Sequence, residues 1–387
     1  MNQGKYVFSQ LFSFVSHNEF LAIVKRYDGD HYVKHFSCWK QYLVMAFGQI
    51  CHRESMSDTI YCLSRNSSKL YQLGIGQTIV KSTISKANES RDWRIFRDFT
   101  LKLIEQAQKL YIDQTLDDEI KNSIFAIDAT VIDLCLTFFT WAQFRRNKAA
   151  VKLHTILDLH TNLPEYVFIS SGSVHEVNIL DLISFQQDSI YIMDRGYVDY
   201  KRLYQIHRAK AFFIVRAKEN MNFKRVNAKV IDNKTGLRCD QTIKLIGFYA
   251  SQHYPESIRR IKFYDAEEQR WYVFITNNHL LTALQICNLY KQRWQIELFF
   301  KWIKQHLKIK TMWGHTENAV KTQIWIALSI YVLVAIIRKK LKLQQSMYEI
   351  LQVLSVNLID KTPLIELFSD AENQNFKERI DNQLKLF

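Results

Sequence analysis

Short apolar runs alternate with amphipathic segments between residues 123 and 216, and this alternation constrains the fold more than any other feature. The apolar runs, each of strand length, are 123–128, 150–159, 166–171, 189–193 and 211–216. The amphipathic segments between them, with the apolar spacing of helices, are 176–185 and 200–208. Strands that alternate with helices indicate an α/β fold built on a mixed sheet.

Two aspartates directly follow apolar strands. Asp128 comes after the run 124–127, and Asp194 comes after the run 190–193. Side chains at the ends of such strands project into the crevice where ligands bind to an open α/β sheet. Together with Glu297 they form a set of three carboxylates from separate elements, which can hold one or two Mg²⁺ ions at a phosphodiester. A lone aspartate after a strand more often forms a turn or caps a helix.

The segment around Glu297 carries further polar side chains. It has no proline or glycine between Tyr290 and Lys304, and its residues favour a helix. At about 100° per residue, a continuous helix would place Tyr290, Arg293, Glu297 and Lys304 on one face. A carboxylate surrounded by cations suits a site for a divalent metal and a phosphodiester. A solvated helix with ordinary ion pairs is the alternative interpretation.

The charge of the chain is positive and concentrated in one segment. The net charge of the 387 residues is +14. Residues 201–310 contain 22 Lys and Arg against 8 Asp and Glu, a difference of 22 − 8 = +14. Such a concentration favours a polyanionic partner, and nucleic acid is the leading candidate. The sequence has no Gly-rich phosphate loop and no Gly-x-Ser-x-Gly motif, which argues against an NTPase and an α/β-hydrolase.

Residues 1–110 are predicted to form a helical region, because apolar residues recur there at helical spacing. A helix that begins near Ser82, with small hydroxyl side chains and Lys86 in its first turns, would suit contacts to DNA phosphates or base edges. An ordinary capped helix is the alternative. The polar stretch 117–122 is the predicted boundary of this region. The six scattered cysteines predict a reducing compartment, consistent with the cytoplasm.

The remaining segments complete the predicted organisation. Residues 220–278 predict an antiparallel β insertion. A long helix is expected at about 282–308, with an apolar side that consists of Trp294, Leu298 and Phe299. A second helix at 317–340 is apolar, but its apolar run is short for a membrane span, so we expect a buried helix and no membrane partner. The tail at 341–387 predicts weak helix, with a role in oligomerisation.

Weaker signals surround the acids. Asp133 lies five residues after Asp128 and could support the site or lie on the surface. Lys152 and His154 share one face of a predicted strand and could border the pocket. His175 and Glu176 could do so as well, although they also fit a helix start with an acid in its first turn.

The polar residues of segment 290–304 match a known pattern. The run Tyr290-x-x-Arg293-x-x-x-Glu297-x-x-x-x-x-x-Lys304 resembles the Y-R-E-K signature of bacterial insertion-sequence transposases, in the branch of the insertion-sequence family four type. Those enzymes are DDE recombinases with a ribonuclease H-like core. The resemblance covers roughly residues 120–340, which would form the catalytic domain.

The same resemblance extends to the three acids. Asp128 in Asp-Ala-Thr resembles the first acid of the DDE triad, Asp194 in Asp-Arg-Gly-Tyr the second, and Glu297 the third. The resemblance implies that they are the catalytic residues and the ligands of Mg²⁺, with Mn²⁺ as a possible substitute. The enzyme would cut at the ends of its own element and join the 3′-hydroxyls to target DNA.

The resemblance also implies which residues contact DNA. Tyr290, Arg293 and Lys304 would bind phosphates near the scissile bond, and Arg195 and Lys86 are further candidate DNA contacts. We favour phosphate contacts over an ion pair with Glu297, because a metal ligand tied to a cation would bind metal poorly.

The expected partners are double-stranded DNA, both element ends and target, and a second copy of the chain in the DNA complex. Two alternatives remain open on the sequence alone. They are a catalytically silent DNA-binding protein derived from a transposase, and a metal-dependent nuclease without strand joining.

Overall fold

The computed structural model describes residues 4–111, 120–146, 148–307, 309 and 311–369. Its α-helices are α1 (Val7–Leu11), α2 (His17–Arg26), α3 (Cys38–Ile50), α4 (Met56–Ser64), α5 (Lys81–Ser90), α6 (Arg94–Tyr111), α7 (Tyr200–Arg208), α8 (Phe248–His253), α9 (Ala283–Gln292), α10 (Trp294–His306), α11 (Glu317–Lys340) and α12 (Met347–Asn357). Its strands are β1 (Ile124–Leu134), β2 (Gln143–Arg145), β3 (Lys148–Asp158), β4 (Leu163–Ser171), β5 (Ile190–Met193), β6 (Phe212–Arg216), β7 (Phe223–Ala228), β8 (Leu237–Leu245), β9 (Ile258–Asp265) and β10 (Arg270–Thr276).

One mixed sheet contains the ten strands of the described residues. Its order is β2-β3-β1-β5-β6-β10-β9-β8-β7, and β4 also pairs with β3. β5 runs parallel to β1 and to β6, whereas the other paired strands are antiparallel. Apolar side chains such as Phe125, Ile127, Tyr191, Met193 and Phe213 form a buried cluster on this sheet. The α/β class expected from the alternating pattern is confirmed.

The chain divides into two compact units. The first comprises the described residues within 1–113, 137–141 and 301–387, and the second those within 114–136 and 142–300. The predicted boundary at 117–122 lies partly outside the described residues.

The first unit is helical, as the pattern of residues 1–110 predicts. α11 lies at its core and packs against α3, α5 and α6. Among the described helices, α11 is by itself long and apolar enough to cross a membrane, yet 94% of its apolar window is buried inside the chain. A bent pair formed by α1, the short 3-10 turn after it and α2 passes the same length and composition test. The predicted burial of the 317–340 helix is confirmed.

In the second unit, β1 differs from its prediction. The sequence predicts a strand at 123–128 that ends in Asp128, but β1 continues to Leu134. Its parallel pairing with β5 stops at Ile127, opposite Met193, whereas its antiparallel pairing with β3 continues to Leu134. Asp128 is therefore the first residue beyond the β1–β5 ladder, although it lies inside the strand.

The β-rich segment is antiparallel, as predicted, but it does not form a separate small sheet. β10 pairs with β6, so β7 to β10 extend the central sheet. In the outermost pair, Lys224 of β7 lies directly opposite Lys244 of β8, and both side chains are exposed. Like charges that lie directly opposite each other destabilise a strand pair.

The predicted helix at 282–308 is broken at Arg293. Hydrogen bonds from Arg293 N to Tyr290 O and from Ile296 N to Arg293 O, each 3.1 Å, span three residues rather than four. This tighter turn separates α9 from α10. The prediction that Trp294 would be buried is wrong, since its side chain is 57% exposed.

Leu298 is likewise 40% exposed rather than buried, whereas the predicted burial of Phe299 is confirmed. A further difference concerns 176–185, where the structure has a 3-10 helix at Glu176–Leu182 instead of a full α-helix.

Candidate functional site

Asp128 and Asp194 lie at the same edge of two neighbouring parallel strands. Ile127 of β1 pairs with Met193 of β5, and each aspartate is the next residue along its chain. The Asp128 carboxylate accepts a hydrogen bond of 2.8 Å from the N–H of Ala129. The Asp194 carboxylate accepts one of 2.8 Å from the N–H of Gly196. The strand-end placement inferred from the sequence therefore brings the first two acids side by side.

Arg293 connects two of the three acids. Its Nη1 donates to Oδ2 of Asp128 at 2.9 Å, and its Nη2 donates to Oε1 of Glu297 one turn along the helix. The side chains of Arg293 and Asp128 are each 17% exposed, and that of Glu297 is 34% exposed. The structure thus shows the ion pair with Glu297 that the sequence analysis disfavoured, and a phosphate contact for Arg293 remains a prediction.

The environment of Asp128 opposes its ionisation. Burial raises the pKa of Asp128 to about 6, and the charges of Asp194 and Glu176 raise it as well, whereas Arg293 and the N–H of Ala129 lower it. The guanidinium of Arg293 thus offsets only part of the effect of burial, and the pKa of Asp128 stays above its ordinary value. Carboxyl groups with a pKa shifted by burial and by neighbouring charges are frequent at functional sites.

Two residues beside the acids were not assigned a firm role from the sequence. Tyr197 is fully buried, and its hydroxyl has no hydrogen-bond partner among the described residues. Burial raises the pKa of Tyr197 well above its usual value, and Asp128, Glu176 and Asp194 raise it further. The sequence feature that could have pointed to Tyr197 is its position as the last residue of the Asp-Arg-Gly-Tyr motif. Glu176 was considered as a residue that could border the pocket, and its charge acts on Asp128.

Lys152 and His154 are buried on β3 near Glu176. Nζ of Lys152 donates to the carbonyl of Val174 at 2.9 Å and lies 3.5 Å from Oε1 of Glu176. His154 shares a hydrogen bond of 2.9 Å with Ser170. Burial lowers the pKa of His154 to about 4, and Lys152 lowers it as well, so the imidazole is neutral at pH 7.

The other predicted DNA contacts differ in their surroundings. Tyr290 packs on Phe274, with ring centroids 4.5 Å apart, and burial raises the pKa of its hydroxyl. Arg195 is 48% exposed and pairs with Glu219 at 3.1 Å. Lys304 lies on α10 in the part that belongs to the first unit. Lys86 is exposed on α5, and Asp133 is exposed on β1.

The acids are hard oxygen donors, which suits Mg²⁺. Asp128 and Glu297 already face one common cation, the guanidinium of Arg293. Within the described ranges, however, no three His, Cys, Asp or Glu side chains are arranged to hold a metal ion together. The donor chemistry therefore fits a divalent ion, and its entry between Asp128 and Glu297 requires Arg293 to move.

Comparison with known protein families places this site in context. The family model for a transposase DDE domain matches residues 119–333, more than half of the chain. This chain belongs to the DDE transposase family. The predicted membership of the DDE superfamily is confirmed, and the branch with the Y-R-E-K signature stays a prediction. A second model, for a domain of unknown function (DUF4372), matches residues 3–76.

Individual relatives agree with the family. A protein of Sinorhizobium fredii named as a transposase is 35% identical over 214 residues, which cover 54% of this chain and 59% of the relative. An insertion-sequence protein of Geobacillus stearothermophilus, also named as a transposase, is 28% identical over 209 residues, 54% of each chain. A third, from Synechocystis, is 25% identical over 275 residues, 68% of this chain and 73% of the relative. The matches thus span a little over half the length of the first two relatives.

Proposed function

We propose that this chain is a transposase that cleaves DNA at the ends of an insertion sequence and transfers the 3′-hydroxyl ends into target DNA. The observation that carries the proposal is that Asp128 and Glu297 both bind the guanidinium of Arg293, inside the matched DDE domain. Asp194 directly follows the neighbouring parallel strand, β5. In cleavage a water oxygen attacks phosphorus and the 3′-oxygen leaves as a hydroxyl. In transfer that hydroxyl attacks a target phosphorus and displaces its 3′-oxygen.

Asp128, Asp194 and Glu297 are the residues proposed to hold one or two Mg²⁺ ions, with Mn²⁺ as a substitute. When bound, the metal would activate the attacking oxygen and stabilise the charge on the leaving oxygen. Arg293 would exchange its carboxylate partners for a phosphate of the scissile strand, where its planar fork can bind two oxygens. Tyr290 is proposed to contact the same strand, and Lys304 is proposed as a further contact to DNA phosphates.

The rest of the chain is proposed to bind DNA more broadly. The excess of cations in residues 201–310, including the opposed pair Lys224 and Lys244, supports backbone contacts there. Residues 1–110 are proposed to bind the element ends. A ribonuclease H-like core is proposed within 120–340, and the parallel neighbours β1, β5 and β6 in the mixed sheet support it. We also propose that two copies act together, with the tail at 341–387 in oligomerisation.

The test uses the full chain with linear DNA that carries the inverted repeats flanking its own gene, in Mg²⁺ and separately in Mn²⁺. We expect strand cleavage and, with an added plasmid, covalent joining of the 3′ ends. Asp128→Asn, Asp194→Asn and Glu297→Gln should each abolish both products while DNA binding persists. Asp133→Asn is the matched control, because this exposed acid lies on the same strand as Asp128.

Three outcomes separate the proposal from its rivals. Cleavage without joining would identify a nuclease. Binding of the element ends without cleavage in either metal would identify a silent derivative of a transposase. Full activity in Asp128→Asn would overturn the assignment of the acids.

A further inference from the structure

A cavity of about 840 Å³ opens within the first unit. Its walls are the loop that joins α2 to α3, the segment 75–80, and the side of α5 that carries Thr83 and Lys86. Its volume lies in the range of roughly 300–1,000 Å³ that is typical of sites for small molecules. All of its lining residues lie between 27 and 92, so the cavity belongs to the first unit alone.

An aromatic side chain stands open to solvent at this cavity. Tyr32 is 91% exposed, although a tyrosine ring is large and mostly apolar. Its backbone has φ +57°, in the left-handed region that residues other than glycine rarely adopt. The His31 ring lies against it, with centroids 3.9 Å apart. A strained loop that presents an aromatic ring to water is a recurrent feature of binding sites.

Cations accompany the ring. Lys34 and Lys86 line the cavity with exposed side chains, and neither forms an ion pair within the described part of the chain. Two acids also line it, but Asp92 is neutralised by Arg94, whose Nε donates to it at 2.9 Å. Asp28 is the remaining acid, so the balance of unpaired charge at the cavity is positive.

The start of α5 adds a second anion-binding feature. The helix has ten residues, and its N-cap residue, Val80, offers no side-chain cap to the first N–H groups. Val80 and Thr83 both line the cavity. Uncapped N–H groups at the start of a helix bind phosphate well, because the helix dipole favours negative charge there.

We propose that this cavity binds one unpaired nucleotide of a DNA strand. The base would stack on Tyr32, and the phosphate would be held by Lys34, Lys86 and the start of α5. Bases within a duplex bury their faces against their neighbours. A base outside the stack has a free face, and that face can stack on the exposed ring of Tyr32. This inference rests on the proposed function in that it takes DNA as the partner.

The experiment uses the full chain and a DNA duplex with a three-nucleotide bulge that contains 2-aminopurine. Its counterpart is the same duplex without a bulge. We expect the fluorescence of the bulged base to be quenched on binding. Tyr32→Ala should abolish the quench and weaken binding of the bulged DNA about 5- to 150-fold, the range given by the loss of one stacked base. Binding of the paired duplex should stay unchanged.

Two variants serve as controls. Tyr71→Ala removes a ring that is 83% exposed but does not line the cavity, and it should behave as the parent chain. Tyr32→Phe keeps the ring and should keep the quench. Lys86→Ala should weaken binding of the bulged DNA, since it removes a phosphate contact. The loss should be the same when the nucleotides of the bulge are abasic.

The outcome that overturns the inference is equal affinity and equal quenching for Tyr32→Ala and the parent chain. Such a result leaves DNA cleavage and joining untouched, because those depend on Asp128, Asp194 and Glu297. Conversely, a chain that quenches the bulged base but never cuts its element ends would refute the proposed function and keep this inference.

Discussion

Removal of the Arg293 charge should tighten metal binding at the acids. The guanidinium lies between Asp128 and Glu297 and donates to both, so a divalent ion has to displace it. Arg293→Met keeps much of the side-chain length and removes the cation. If the acids are the metal site, this variant should bind Mn²⁺ more tightly than the parent chain.

The size of the effect follows from the two contacts. A hydrogen bond to a charged group contributes about 1.5–3 kcal/mol net. Because the displaced guanidinium regains water, we expect the metal to face a net cost of about one such bond. That cost corresponds to a dissociation constant lowered roughly 10- to 150-fold in Arg293→Met. The metal-free variant should also be less stable, since Asp128 loses the cation that offsets its burial.

The assay is a titration with Mn²⁺ at pH 8, where Asp128, with its pKa of about 6, is ionised in the parent chain. Free Mn²⁺ is read by electron paramagnetic resonance. Arg195→Met is the matched control, because it removes an equal charge beside Asp194 but its partner is Glu219. If Arg293→Met bound Mn²⁺ no better than Arg195→Met, competition between the guanidinium and the metal would be refuted.

Three further predictions follow from the structure. The pKa of His154 is about 4 in the folded chain and 6.5 in the unfolded chain. The free energy of unfolding should therefore fall by at most about 3 kcal/mol as the pH is lowered from 6.5 towards 4. Urea unfolding should show a smaller loss in His154→Gln. Arg259 and Asp240 form a buried ion pair at 2.7 Å, so Asp240→Ala should cost about 3–5 kcal/mol in chemical unfolding, and adding Arg259→Met should recover part of it. If Lys224 and Lys244 bind DNA phosphates, changing both to Gln should make the slope of log affinity against log salt concentration shallower by about 1.8 for duplex DNA. An unchanged slope would show that these two lysines do not contact phosphates.

The sequence by itself determined the elements whose pattern is local. The apolar run at 190–193 fixed β5 and placed Asp194 directly after it. The apolar spacing of the N-terminal segment predicted its helices, and the composition of 317–340 predicted a buried α11. These inferences hold because backbone periodicity and side-chain burial are written into neighbouring residues.

Only the tertiary structure decided how those elements combine at the site. The length of β1 past Asp128 depends on its pairing with β3, a strand that lies elsewhere in the chain. The contact between Arg293 and Asp128 joins residues 165 positions apart. The side chain of Trp294, which follows the tight turn at Arg293, is exposed rather than in the expected core. A helical pattern assigns a residue to a face, but the partner of a charge is chosen by whichever opposite charge the fold brings within a few ångströms.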